Sequence, residues 1–152
     1  MGARTLKLST RTVYEEDFAA WATETARLLR ERRFDEIDME HLAEEVEAMA
    51  GRDRREVASR LRVLLAHLLK WTHQPRKRSR SWQSSIDTQR AELEQIFQQS
   101  PSLKRGLGAV VNQAYRQAVR NASIETALKR HAFPAQCPFS LGEILDPDFL
   151  PE

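Results

Sequence analysis

This 152-residue chain has little of what most small-molecule chemistry requires. It contains one cysteine, Cys137. An internal disulfide is therefore excluded, and a reducing compartment, the cytoplasm, is the expected location. Its five glycines are scattered, so there is no glycine-rich cradle for a phosphate. No G-x-S-x-G elbow and no H-E-x-x-H pair occurs, so neither a hydrolase nucleophile nor a zinc-binding helix is signalled. No apolar run reaches the roughly 20 residues of a membrane span, and the basic N-terminus lacks the apolar core of a secretory signal. No β-type alternation, repeat or low-complexity tract is present. Prolines number six, four of them after residue 133, which leaves most of the chain free of helix breakers.

What is present is charge and helical periodicity. Net charge is +2, unevenly placed. Residues 1–50 carry 7 Lys and Arg against 12 Asp and Glu, and residues 51–100 carry 11 against 5. An acidic helix packed on a basic one explains this, and a basic face for nucleic acid is the sharper alternative.

The pattern predicts an all-α fold: a bundle of about five long helices with a short helical, proline-rich C-terminal tail. Residues 1–13 read as a flexible arm and 14–152 as a single helical domain. Thr12 and Glu15 have capping-box spacing, ahead of a helical face formed by Phe18, Trp21, Ala22, Thr25, Leu28 and Leu29 and running to about Arg33. Asp38 is the expected N-cap of a second helix, with Leu42, Val46 and Met49 as its buried stripe. Gly51 is placed at a sharp antiparallel turn, although one continuous helix is the alternative, since a mid-helix glycine costs only about 1 kcal/mol. A third helix bearing Val57, Leu61, Leu64, Leu65, Leu68, Leu69 and Trp71 is the expected centre. Ser81 and Ser100 are expected to cap a fourth and a fifth helix. A short sixth is expected from Ser123 to about His131, and Ser140 and Glu143 can cap one turn of the tail.

Several stretches, taken in order, resemble the bacterial family called domain of unknown function 29. They are Tyr14-Glu15-x-Asp17-Phe18-x-x-Trp21, Asp38-x-x-x-Leu42-x-Glu44-Glu45, the run His67 to Trp71, Ser81-Trp82, Gln89-Arg90, Pro101-Ser102-Leu103, and Cys137-Pro138-Phe139 through Leu145-Asp146-Pro147. The resemblance covers residue 14 to the end. It implies an all-helical, bacterial protein and supplies no activity, cofactor or site residue.

The candidate site residues lie along a charged seam. With a tight hairpin at Gly51, Glu45 faces Arg60 and Asp38 faces His67, forming two rungs of one ladder. Ordinary interhelical salt bridges are the plain reading. The catalytic reading makes Asp38 the carboxylate that orients a poised His67 imidazole. Arg90 falls on the core side of the fourth helix with Ile86, Leu93 and Phe97, so it needs a buried carboxylate partner, expected from the first or second helix. Arg76, Lys77, Arg78 and Arg80, leading into Trp82, could contact nucleic-acid phosphates, although Trp82 also fits the core. Glu40, Glu44, Glu45 and Glu47 with His41 read as a solvated acidic face, because a di-iron site requires a Glu-x-x-His on each of two helices. No cofactor or metal is expected. The leading expectation is a protein-interaction or scaffold module with an unidentified protein partner, able to act as a homodimer or higher homo-oligomer. A nucleic-acid-associated protein comes second, and an enzyme using the Asp38/His67 seam third.

Overall fold

A computed structural model describes residues 13–152. Thr12, half of the expected first capping box, and nearly all of the N-terminal arm lie outside them. Among the described residues the fold is all helical, without strands. There are four long α-helices where about five were expected: α1 Phe18–Arg30, α2 Met39–His73, α3 Arg80–Gln99 and α4 Leu107–Thr126. A five-residue α5, Leu141–Leu145, follows, and 3₁₀ turns occupy Phe34–Glu36, Pro75–Lys77, Pro101–Lys104 and Arg130–Ala132.

The count falls because α2 runs unbroken through Gly51 for 35 residues. Gly51 adopts no positive φ, and among the described residues the positive-φ glycine is Gly106. Ala48, Ala50, Arg52, Arg54 and Arg55 surround it with strong helix formers, which outweigh one glycine's cost. The described residues divide into two compact units, 13–52 and 53–152, and the boundary falls within α2.

In the first unit, residues 13–16 are helical and the chain breaks at Asp17. The Asp17 carboxylate accepts the Ala20 N–H at 2.9 Å and starts α1 anew. Trp21, Thr25 and Leu28 are buried as the periodicity predicts, whereas Phe18 and Leu29 are exposed. At the end of α1, Arg32 takes the left-handed conformation and the Arg33 N–H reaches the Leu28 carbonyl, closing the helix in Schellman fashion without a glycine. Asp38 caps α2 as expected, accepting the His41 N–H at 3.2 Å.

The second unit is a helical bundle around the C-terminal half of α2. Leu61, Leu64, Leu65, Leu68 and Leu69 have no exposed surface, and α3 and α4 contribute Ile86, Leu93, Val111, Ala114 and Ala118 to the same core. The expected centre is therefore the observed one. Boundaries shift locally. Ser79, not Ser81, caps α3. Ser100-Pro101 opens a 3₁₀ turn, and α4 starts after the left-handed Gly106. Ser123 lies inside α4 and donates to the Leu128 carbonyl, so no separate sixth helix begins there. The tail's capping box forms as its sequence requires, with the Ser140 hydroxyl on the Glu143 N–H and the Glu143 carboxylate on the Ser140 N–H.

Candidate functional site

The four seam residues do not form a ladder. A single helix over Met39–His73 removes the hairpin that would have turned Arg60 and His67 back toward Glu45 and Asp38. Each is engaged within its own unit. Arg60 lies near Glu56 at 3.2 Å and Glu92 at 3.5 Å, with the Gln89 amide oxygen at 3.4 Å. His67 Nδ1 meets the Val63 carbonyl at 2.9 Å, one turn back on its own helix. Its Nδ1 contact is thus to backbone and not to an orienting carboxylate.

Asp38 and Glu45 instead build a polar joint at the start of α2. Asp38 Oδ2 lies 2.7 Å from His41 Nδ1, and both side chains are largely buried. The His41 ring stacks on Tyr14 at 4.0 Å between centroids. Tyr14 donates its hydroxyl to Glu45 Oε1 at 2.7 Å, and its ring meets Trp21 edge-on at 4.8 Å. The hydrogen bond to Glu45 pushes the Tyr14 phenol up to about 12, with smaller contributions from desolvation and nearby carboxylates. Tyr14 therefore holds its proton across the ordinary pH range and acts as a donor. The joint ties residues 13–16 to the first two turns of α2. His41 is its centre, although sequence reading treats that residue only as part of an acidic face. The i, i+3 spacing from an N-cap Asp was the available signal, because it returns the imidazole to the cap. Among the described residues, no group of three or more His, Cys, Asp or Glu side chains is arranged to hold a metal ion.

The same helix carries an uncovered apolar stripe. Met39 is 57 % exposed, Val46 57 % and Met49 62 %. Val46 and Met49 were expected inside, covered by the chain returning from Gly51. Because α2 continues, Met39, Val46 and Met49 stay exposed among the described residues. Exposed large hydrophobic residues concentrate here: Phe18, Leu29, Phe34, Met39, Val46 and Met49 belong to the first unit, against Ile124 and Leu141 in the second. Glu40, Glu44 and Glu47 on α2 are exposed as expected.

In the second unit Arg90 is buried, as expected, at 4 % exposure. Its partners are backbone carbonyls of the tail, not a carboxylate. Nε donates to Ile144 at 2.9 Å, and the terminal nitrogens to Phe149 at 2.8 Å and Glu143 at 3.0 Å. The last carbonyls of α5 lack helical partners, and a guanidinium fork supplies them. Burial lowers the Arg90 pKa, opposed by Asp146 and Asp87. Arg90 is thus the clamp that holds the tail.

The basic loop is only partly open to solvent. Arg76, Lys77 and Arg80 are exposed. Arg78 turns inward, donating to the Trp71 carbonyl at 3.0 Å and lying 5.2 Å over the Trp71 ring. Trp82 is half-buried and carries the Lys70 ammonium 4.7 Å above its ring. Lys70 itself is 6 % exposed and pairs with Glu125 at 2.5 Å. It is a buried charge that the sequence reading passed over. Its place among Leu64, Leu65, Leu68 and Leu69 was the signal, since a cation on a fully apolar stretch needs a partner.

A model of the family described as domain of unknown function DUF29 matches residues 13–150. The chain belongs to this family. The match spans both units and includes Tyr14, Asp38, Glu45, Lys70 and Arg90. Comparison with curated proteins and with solved structures finds no match. Membership in the DUF29 family therefore brings no activity. No helix among the described residues is long and apolar enough to cross a membrane.

Proposed function

We infer that this DUF29 protein is a protein-interaction module whose first unit docks an amphipathic helix with basic flanks. The observation that carries this reading is the uncovered stripe on α2. Met39, Leu42, Val46 and Met49 follow the 3-4-3 spacing of an interhelical seam. Leu42 is half-buried within the unit, and the other three face solvent. At about 100° per residue, exposed Ala43 and Ala50 lie beside this stripe and Glu40 and Glu47 on the flank beyond them. Small residues next to the stripe admit a partner's larger side chains, and the two methionines adapt to their shape. The carboxylates select the partner's charge, favouring Lys or Arg at its edges and rejecting an acidic helix. An apolar stripe with a charged rim is the usual form of a helix-docking surface.

Nucleic-acid association through residues 76–80 has less to support it, because Arg78 and Trp82 are engaged with the bundle. The Asp38–His41 pair also favours the interaction reading over catalysis, since its hydrogen bonds and stacking fix the start of the docking helix. The test uses the Met39 and Met49 methyl signals in NMR. A titration with a designed leucine-lysine amphipathic peptide should move both. The leucine-glutamate counterpart should move neither, and Val46→Glu should abolish the effect. Equal responses to the two peptides, or none, would contradict the reading. Self-association that is lost with Val46→Glu would reassign the stripe to a second copy of this chain.

A further inference from the structure

The second unit carries a cationic pocket that the helix-docking reading does not use. Its wall is Tyr115, Arg116 and Val119 on α4, and its rim is the strap that follows the helix. The chain reverses at Ala127, which adopts the left-handed conformation, and the 3₁₀ turn Arg130–Ala132 brings Arg130 and His131 back over α4. Two contacts fix the strap. Tyr115 donates its hydroxyl to the Pro134 carbonyl at 2.7 Å, and the buried Phe133 ring packs against His73 at 4.8 Å. The resulting pocket has a volume of about 520 Å³, inside the range of roughly 300–1,000 Å³ typical of small-ligand sites. A second depression of about 330 Å³ shares Tyr115, Arg116 and Ala135 with it and adds the Asn112 and Gln136 amides.

Charge gives the site its character. Arg116, Arg130 and His131 all line the larger pocket, and no carboxylate lines either one. Among the described residues, none of these three side chains is held in a salt bridge or hydrogen bond. Arg90 and Arg78 are satisfied by backbone carbonyls, whereas Arg116 and Arg130 are exposed around a concave surface. Two guanidinium forks and an imidazole match an oxyanion of charge near −2 better than a single carboxylate, which one fork would satisfy. The apolar floor of Val119 and Phe133 and the two neighbouring amides accommodate a ring with polar edges.

We propose that this pocket binds a phosphate monoester of a ring-bearing small molecule, with the phosphate held by Arg116, Arg130 and His131 and the ring directed along the trough toward Asn112 and Gln136. A nucleoside monophosphate and a sugar phosphate share this chemistry. Isothermal titration of the full chain with adenosine monophosphate, glucose 6-phosphate, inorganic phosphate and hexaglutamate separates the cases. At least one monoester binds saturably and more tightly than inorganic phosphate, and which one binds identifies the ring. Arg116→Gln and Arg130→Gln each weaken that binding by about tenfold or more, as expected for a lost charge-assisted bond. Arg120→Gln, an exposed α4 cation that does not line the pocket, leaves it unchanged. Ala135→Trp fills the trough without altering charge and abolishes binding, while circular dichroism confirms that each variant folds. The proposal is overturned if neither monoester saturates, if hexaglutamate alone binds, if Arg120→Gln matches the pocket variants, or if Ala135→Trp binds as well as the parent.

Discussion

Removing the Arg90 guanidinium should release the tail and cost a large part of the fold's stability. Arg90 is 4 % exposed. It donates three hydrogen bonds, at 2.8, 2.9 and 3.0 Å, to carbonyls between Glu143 and Phe149. A hydrogen bond from a charged donor contributes roughly 1.5–3 kcal/mol, so three have a gross value near 4.5–9 kcal/mol. Against this stands the desolvation of the guanidinium, which burial already shows as a lowered pKa. Arg90→Leu leaves three carbonyls without their donor, at about 1–3 kcal/mol apiece, and with the guanidinium's desolvation recovered a net loss of about 3–5 kcal/mol is expected. Arg90→Lys keeps the charge but loses the fork, and should recover only part of the loss. Urea denaturation followed by tryptophan fluorescence gives the free energies. Reactivity of Cys137 toward a thiol reagent reads the tail directly, since the parent thiol is half-buried and desolvation raises its pKa. Slow labelling in the parent and fast labelling in Arg90→Leu below the unfolding transition is the expected result. A loss under about 1 kcal/mol with unchanged labelling would refute the clamp.

Other consequences are equally direct. The two tyrosines, Tyr14 and Tyr115, are both pushed up to about 12. Absorbance at the tyrosinate band should therefore stay low in the folded chain at pH 11, while the urea-unfolded chain titrates near the ordinary tyrosine value of about 10. The folded state holds the extra protons, so stability is fully present below pH 10 and declines as pH rises toward 12. Glu45→Gln should bring the Tyr14 transition down and leave that of Tyr115 in place, and a shared shift would refute the Tyr14–Glu45 bond. Ala127 has φ +59 without a glycine's freedom; Ala127→Gly should raise stability by up to about 1 kcal/mol, measured as a shift in the urea midpoint. Leu65→Ala, at a position with no exposed surface, should cost about 2–5 kcal/mol. A loss under 1 kcal/mol there would misplace the core.

The sequence makes some of this plain and conceals the rest for physical reasons. The leucines of α2 declare a wide apolar face, and the Ser140/Glu143 box declares its own turn, because both signals are local. Arg90's burial is legible from its i, i+4 relation to Ile86, but its partners are not, since backbone carbonyls 53 to 59 residues away leave no trace in residue identity. Gly51 misleads because a glycine permits a turn without requiring one. That single choice moves Val46 and Met49 from core to surface and dissolves the Glu45–Arg60 and Asp38–His67 pairs. The Arg116, Arg130 and His131 pocket depends on the left-handed Ala127, a residue type that gives no warning of that conformation.

The proposed docking of a basic amphipathic helix on the α2 stripe is open to in-cell photo-crosslinking from Met49. A photoreactive residue replaces Met49 in one chain and exposed Ile124 in a control, and the crosslinked segment is sequenced by mass spectrometry. Docking of that kind gives an adduct from position 49 only, to a segment with apolar residues at i, i+3, i+4 and i+7 and Lys or Arg at its edges. An absence of adducts, equal adducts from both positions, or an acidic or non-amphipathic segment at position 49 would contradict it.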